Sequence, residues 1–366
     1  MRALSSGEVA ADVAIIGAGV VGLAVAHRLS KQGLHVVVIE KEPGPGMGVT
    51  SGQANVIHVI QLPFASLKSK LARKGNTMYD DLCRDLGVKL TRVPSLLVVR
   101  GWLRLPALAA VWAYLKLELR GEFKVRIMRG GNLRKLEPLL SDDITGGVVV
   151  DGYGTVDVNA LVAGLKTGSE EQGASFLFGC KMLSARREGG LTLLSTTRGK
   201  VSARIVVNAA GLYSDDVAVA LGKNLGTLEP GLGVMAVYTG LDLHCIVAPL
   251  PLSVGSRTKG GAIIPATDGT TIIGPTLRVA ASKEDLAHTP EDLALLEAKF
   301  SPLLRAEGTL VRVYTGIRPL SPTHDFIIDL DKEREVVSLV GIESPGMTSA
   351  PAIAEVVERM IGEAKP

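Results

Sequence analysis

Asp12-Val-Ala-Ile-Ile-Gly17-Ala-Gly19-Val-Val-Gly22 and, after a short interval, Gly33-Leu-His-Val-Val-Val-Ile39-Glu40 decide the fold of this chain. Asp12 to Ile16 predicts a buried strand, the three glycines a tight turn, and the small and apolar residues through Leu29 a helix closed by Gly33. Leu34 to Ile39 predicts a second strand, rich in β-branched residues, ending at Glu40, 18 positions after Gly22. That spacing is the one a dinucleotide-binding strand–helix–strand unit requires. Gly17 permits the turn, Gly19 lets backbone approach a pyrophosphate, and Gly22 lets the helix sit close on the strand, while unpaired N–H groups at the helix start attract negative charge. Glu40 is placed to accept hydrogen bonds from an adenosine ribose. A bare GxGxxG is weak in a chain with 42 glycines. Its position between two strands, with an acid at the right distance, makes it strong, but it does not separate NAD from FAD.

The chain has 366 residues, enough for two domains. Its 40 basic and 37 acidic residues are spread without a block of one sign, so nucleic acid is not expected as a partner. Cys83, Cys180 and Cys245 are odd in number and widely spaced, which argues against a disulfide framework and against a zinc or iron–sulfur site. A reducing cytoplasm is the expected location. Val13 to Ala26 is glycine-interrupted and runs into His27-Arg28, unlike a signal peptide, and no charge-free run reaches the roughly 18 residues of a membrane span. Few Gln and Asn, with abundant Leu, Val, Gly and Arg, hint at a thermophile.

Three later segments return to the nucleotide site. Val201 to Asn208 predicts another buried strand, followed by Ala209-Ala210-Gly211, whose small residues let backbone pass close to a dinucleotide. A strand over Ser175 to Cys180 leads to Lys181-Met182, a place for backbone hydrogen bonds to adenine; core packing is an equal reading of Met182. Val336 to Val340 predicts a strand, followed by Gly341-Ile-Glu-Ser-Pro-Gly346-Met347-Thr348 and an amphipathic helix over Ser349 to Ile361, capped by Thr348 or Ser349 with Pro351 in its first turn. Such a glycine-flanked helix start offers N–H donors to an anion.

GxGxxG with Glu40, the run Thr50-Ser-Gly-Gln-Ala-Asn-Val-Ile-His58, Asn208-Ala-Ala-Gly211, Gly316-Ile-Arg-Pro319 and the terminal Gly341–Thr348 segment, in this order, resemble the D-amino-acid-oxidase-type FAD oxidoreductases over nearly the whole chain. Within that family the glycerol-3-phosphate branch is most similar, with the L-2-hydroxyglutarate branch next. Ser66-Leu-Lys-Ser-Lys-Leu71, Gly75-Asn76, Lys259-Gly-Gly261, Ile273-Gly-Pro-Thr276 and Ser282-Lys-Glu-Asp285 followed by Thr289 carry the likeness to the former. The resemblance implies an α/β chain, α+β overall, with a Rossmann-like FAD-binding domain and an inserted, mainly antiparallel-sheet substrate domain. The first takes residues 1–90, 151–222 and 316–366, the second 91–150 and 223–315. FAD contacts are expected at Gly17, Gly19, Gly22, Glu40, Lys41, Thr50, Ser51, Met182, Ala210, Gly211, Gly316, Gly346, Met347 and Thr348.

Oxidising an alcohol requires a base for its hydroxyl proton and a clamp for the substrate's anion. His58 matches the histidine the family places beside the flavin and titrates near neutrality; taken alone, a histidine within Val56-Ile-His-Val-Ile60 is more often structural. Arg318 is the expected clamp, with a surface salt bridge as its plain alternative, and Lys259, before two glycines, is a further candidate for the same anion, with a merely solvated lysine as its plain alternative. Val59-Ile60 stand where the family commonly has small residues, which implies a differently shaped pocket. The expected partners are a small anionic substrate and a quinone or dye as electron acceptor, with a partner subunit or a membrane surface at the inner face of the membrane as further candidates. Competing readings are an L-2-hydroxyglutarate or amino-acid dehydrogenase, a flavin subunit of a larger dehydrogenase, and an NAD protein. Trp102 precedes, and Trp112 lies within, an apolar helix over Leu103 to Leu115, expected either to pack within the substrate domain or to form a docking patch.

Overall fold

In the computed structural model, which describes residues 3–4, 8–250 and 260–363, the opening stretch folds as strand Glu8–Ile16, helix α1 (Val20–Ser30) and strand Val36–Ile39. Gly33, at φ +74°, reverses the chain between helix and second strand, a conformation that costs glycine nothing. The further helices are α2 (Leu67–Asp85), α3 (Leu105–Glu118), α4 (Gly130–Leu136), α5 (Val158–Glu171), α6 (Ser214–Ala220), α7 (Pro290–Phe300) and α8 (Gly346–Glu363).

The first sheet is parallel where it matters for binding. Strands Ser175–Leu177, Val36–Ile39, Glu8–Ile16 and Gly199–Asn208 run side by side in that order, all parallel. Beyond Gly199–Asn208 the sheet forks. The start of that strand pairs antiparallel with Leu191–Thr196, whereas its end pairs parallel with Val336–Val340. Ile16, Ile39 and Asn208 lie in register, so the turns that follow them open on one edge, joined by the turn after Val340. A ligand crevice is expected outside the carboxyl ends of such strands. On one face of the sheet α1 packs between α5 and α8, and α2 packs on the far side of α8.

The second sheet has nine strands and pairs antiparallel throughout, except where Ile246–Pro249 runs parallel to Ser95–Arg100. Its longest pairing, Glu229–Thr239 with Thr309–Leu320, sets Gly233 opposite Gly316 and Gly231 opposite Arg318. The fold is therefore mixed α/β. Among the described residues no helix is long and apolar enough to cross a membrane.

Two local expectations fail, for identifiable reasons. The strand expected over Ser175 to Cys180 stops at Leu177, because Gly179 (φ +60°) turns the chain and Cys180 N–H bonds back to the Glu40 carbonyl, 2.8 Å. The last helix starts at Gly346, three residues before Ser349, so neither Thr348 nor Ser349 is its cap. Ser349 Oγ donates to the Pro345 carbonyl within the helix, 3.0 Å, and Thr348 is drawn into a contact with His58. Pro351 consequently lies past the first turn and has no N–H for the Met347 carbonyl four residues back. The fully buried Tyr79 supplies the missing donor, its hydroxyl bonding to that carbonyl at 2.6 Å.

Candidate active site

The crevice edge of the first sheet is shaped by backbone that no side chain could replace. Gly17 sits at φ +108°, and a Cβ there would lie 2.4 Å from the Ala209 carbonyl oxygen. A Cβ on Gly22 would lie 2.1 Å from the Gly17 carbonyl. The turn after Ile16, the start of α1 and the Ala209–Gly211 segment are thus in backbone contact. Gly19 provides no side-chain cap for α1, and Thr50 Oγ1 reaches across from another segment to accept the Val20 N–H, 3.0 Å. The Glu40 carboxylate accepts from Ala18 N–H at 2.7 Å and from Glu42 N–H at 2.9 Å. Two anchored oxygens still have lone pairs for ribose hydroxyls. A glycine cradle, a fixed acid and a helix start whose own N-cap residue carries no side chain together fit a dinucleotide.

A second close approach brings the chemistry to this edge. The Thr50–Gly52 turn lies on the Thr309–Leu320 strand at Gly316, and a Cβ on Gly316 would come within 2.2 Å of the Gly52 carbonyl. Two residues along the strand is Arg318, half-buried, and among the described residues its guanidinium makes no hydrogen bond or ion pair. Burial lowers its pKa, and the charge of Glu343 acts the other way. Glu343 is itself tied to Lys68 by a buried ion pair, 3.1 Å, and Lys68 also donates to the His324 carbonyl, 2.5 Å.

His58 is held at both ends of its peptide. Its N–H donates to Thr348 Oγ1 at 3.0 Å, and its carbonyl accepts from Asn76 Nδ2 at 2.9 Å. Its ring meets Tyr153 edge-on, with centroids 6.2 Å apart, and the Tyr153 hydroxyl accepts the Ile60 N–H. Burial, and secondarily the charge of Arg318, push the imidazole down to about 4, so it is neutral at physiological pH with a nitrogen free to take a proton.

Asn76 is fixed in turn: Arg92 donates to its Oδ1 at 3.1 Å and to its carbonyl at 3.0 Å, and is itself paired with Asp80. Asn76→Leu, similar in volume, removes the anchor on His58 and leaves buried carbonyls without their donor. With His58 as the base that the sequence analysis expects, turnover should fall about 10- to 100-fold through misplacement, with a lowered Tm. Rapid-mixing rates and thermal denaturation on the same variant test this; a wild-type rate would show that the His58 carbonyl needs no anchor.

The other expected residues distribute unevenly. Thr348, Met347 and Gly346 form the start of α8 beside His58, and Thr348 is fully buried. Gly211, at φ +58°, and Ala210, whose N–H bonds to Asn208 Oδ1, line the turn after the Gly199–Asn208 strand. Lys41 and Ser51 are exposed: the Lys41 ammonium lies 3.2 Å from the Glu42 carboxylate and 4.0 Å above the Tyr213 ring, and Ser51 bonds to the Gly48 carbonyl. Met182 packs on the apolar cluster that contains Val37, Ile39 and Cys180. Lys259 lies outside the described residues. Sequence reading assigned no role to Asn76, Arg92, Tyr153, Lys68 or Glu343. Only the Ser66–Leu71, Gly75-Asn76 and Gly341–Thr348 motifs hinted at three of them, Lys68, Asn76 and Glu343.

Known proteins are similar to this chain. The family described as FAD dependent oxidoreductase, DAO, matches residues 12–360. A glycerol 3-phosphate dehydrogenase of Caloramator mitchellensis is 29% identical over 354 residues, 94% of this chain and 72% of that protein. The mitochondrial L-2-hydroxyglutarate dehydrogenase of Arabidopsis thaliana is 26% identical over 413 residues, covering 94% of this chain and 82% of its own length. Among solved structures, dithionite-reduced L-alpha-glycerophosphate oxidase from Mycoplasma pneumoniae with FAD bound superposes with a TM-score of 0.88 at 23% identity, over 96% of this chain and 95% of that one. At that identity the likeness speaks for the fold.

Proposed function

The chain belongs to the DAO family of FAD-dependent oxidoreductases, and on that premise we propose that it oxidises glycerol 3-phosphate to dihydroxyacetone phosphate and hands the electrons to a quinone or a dye. The observation that carries this reading is a partly buried guanidinium, Arg318, that makes no hydrogen bond or ion pair among the described residues and stands close enough to a neutral imidazole, His58, for its charge to depress the imidazole's pKa. Beside an α/β crevice, that pair suits a substrate with an anion at one end and an oxidisable alcohol at the other.

FAD, when bound, supplies the acceptor for a hydride. The protein supplies the rest. Arg318 offers its planar fork to the phosphate and thereby fixes the alcohol carbon relative to His58. His58 takes the hydroxyl proton as the C–H bond releases its electron pair, leaving a ketone. Arrival of the phosphate offsets the Arg318 charge, which favours protonated His58 when it is needed. Thr348, Asn76 and Tyr153 hold the histidine segment, and the Lys68–Glu343 pair fixes the turn leading into α8. A carboxylate fits the same fork, so L-2-hydroxyglutarate is the second reading, favoured by the likeness to the Arabidopsis enzyme.

Dye reduction by the isolated, FAD-loaded chain tests the choice. We expect kcat/KM for glycerol 3-phosphate to exceed that for L-2-hydroxyglutarate and for amino acids at least about tenfold, a gap of roughly 1.4 kcal/mol. A reversed order overturns the proposed substrate. Glu40→Gln is expected to weaken FAD binding about 10- to 150-fold, the scale of a lost charged hydrogen bond, while leaving flavin reduction by substrate unchanged in the loaded enzyme. Fluorescence titration of apoprotein with FAD reads the first effect; an unaltered Kd would remove Glu40 from cofactor binding.

A further inference from the structure

Helix α3 is apolar nearly all round, a pattern that ordinarily marks a buried helix. Here only Leu108 and Leu115 along it are buried. Trp102, Leu103 and Leu117 are 72%, 76% and 72% exposed, Tyr114 and Leu105 are exposed as well, and the alanines between them face outward. The result is an exposed apolar ridge along the helix.

Charge around the ridge is mainly basic, with Glu118 and the exposed Glu122 as the acids at its carboxyl end. No acidic residue occurs from Leu86 to Leu117, and no charged residue of either sign lies between Arg104 and Lys116. Arg104, Lys116 and Arg120 are exposed at the two ends. An apolar strip with Trp and Tyr on its surface and cations at its ends is the pattern of an interfacial helix, aromatic rings at headgroup depth and cations against phosphates. At 14 residues α3 is too short to cross about 30 Å of hydrocarbon at roughly 1.5 Å per residue. The ridge adjoins the segment that follows His58: Tyr114 packs edge-on against Phe64, 5.7 Å between centroids, and Phe64 and the exposed Leu62 belong to that segment.

We propose that α3 seats the enzyme on the surface of a lipid bilayer bearing anionic headgroups, with the His58 segment facing the layer in which an apolar electron acceptor dissolves. The inference deepens the acceptor reading above and rests on it for its purpose, but binding is measured without substrate or acceptor, so either can fail alone.

The test is co-sedimentation of FAD-loaded protein with vesicles of phosphatidylcholine, with and without an equal part of phosphatidylglycerol. Wild-type protein is expected to pellet with the anionic vesicles, and the double variant Leu103→Asp, Leu117→Asp to bind them at least about tenfold more weakly. Both positions are exposed, so flavin content and reduction of a soluble dye should stay at wild-type levels in the variant and establish its fold. Wild-type protein left in the supernatant, or a variant that pellets equally, overturns the proposal. So does a wild-type dimer without vesicle binding that the double substitution splits, which would assign the ridge to a second copy of the chain.

Discussion

His58→Ala is expected to slow reduction of the flavin by substrate on the order of 100- to 10,000-fold, the usual contribution of a positioned base, with the loss falling on kcat. The imidazole is half-buried and neutral, its pKa pushed down to about 4 first by desolvation and then by the Arg318 charge. In the free enzyme it is therefore ready to accept a proton at any pH above that value. The wild-type kcat/KM should rise as pH increases through about 4 and stay flat through neutrality. In the substrate complex the bound anion opposes Arg318, so the acid limb of kcat should lie higher. His58→Ala should remove both limbs. The same shift has a sign for stability. A histidine held below its ordinary 6.5 in the folded state is protonated first in the unfolded chain, so its contribution is lost as pH falls from 6.5 towards about 4. The alanine variant should lose less stability over that window. Rapid-mixing kinetics across pH, with thermal denaturation at the same pH values, check these outcomes, and wild-type reduction rates would remove His58 from the chemistry.

Arg318→Ala is expected to fail differently. A lost charge-assisted hydrogen bond to a bound anion costs about 1.5–3 kcal/mol, so substrate should bind about 10- to 150-fold more weakly while the limiting rate at saturation changes far less. Because Arg318 is one of the two causes that hold His58 down, its removal should also move the acid limb of kcat/KM upward. An arginine whose charge lay away from His58 would not produce that second effect. Arg318→Lys keeps the charge and loses the planar fork, so it should restore the position of the acid limb but only part of the affinity. Unchanged Kd in the alanine variant would return Arg318 to the plain role of a salt-bridging residue.

What could be read from the sequence was whatever is encoded locally. The Gly17–Gly22 turn, its two strands and Glu40 are fixed by spacings of a few residues, and the structure places all of them at one sheet edge. Thr348 shows the limit of local rules. A hydroxyl near a helix start predicts a cap, but His58, 290 residues away, offers the N–H that its oxygen accepts. Asn76 and Lys68 act through partners 18 and 275 residues distant, a carbonyl in one case and a carboxylate in the other, and no periodicity reports such pairings. The apolar sequence of α3 likewise describes a helix without saying which way it faces; only the fold exposes Trp102 and Leu117.

The central claim, that this crevice takes glycerol 3-phosphate on Arg318 and oxidises it with His58 as base, is tested most directly by one anaerobic experiment. The FAD-loaded enzyme is mixed with glycerol 3-phosphate in the absence of any acceptor, and the visible absorbance of the flavin is followed to completion. The account predicts full bleaching in a single turnover, with dihydroxyacetone phosphate formed in equal amount to the flavin. A flavin that stays oxidised with glycerol 3-phosphate but bleaches with L-2-hydroxyglutarate or an amino acid would contradict it.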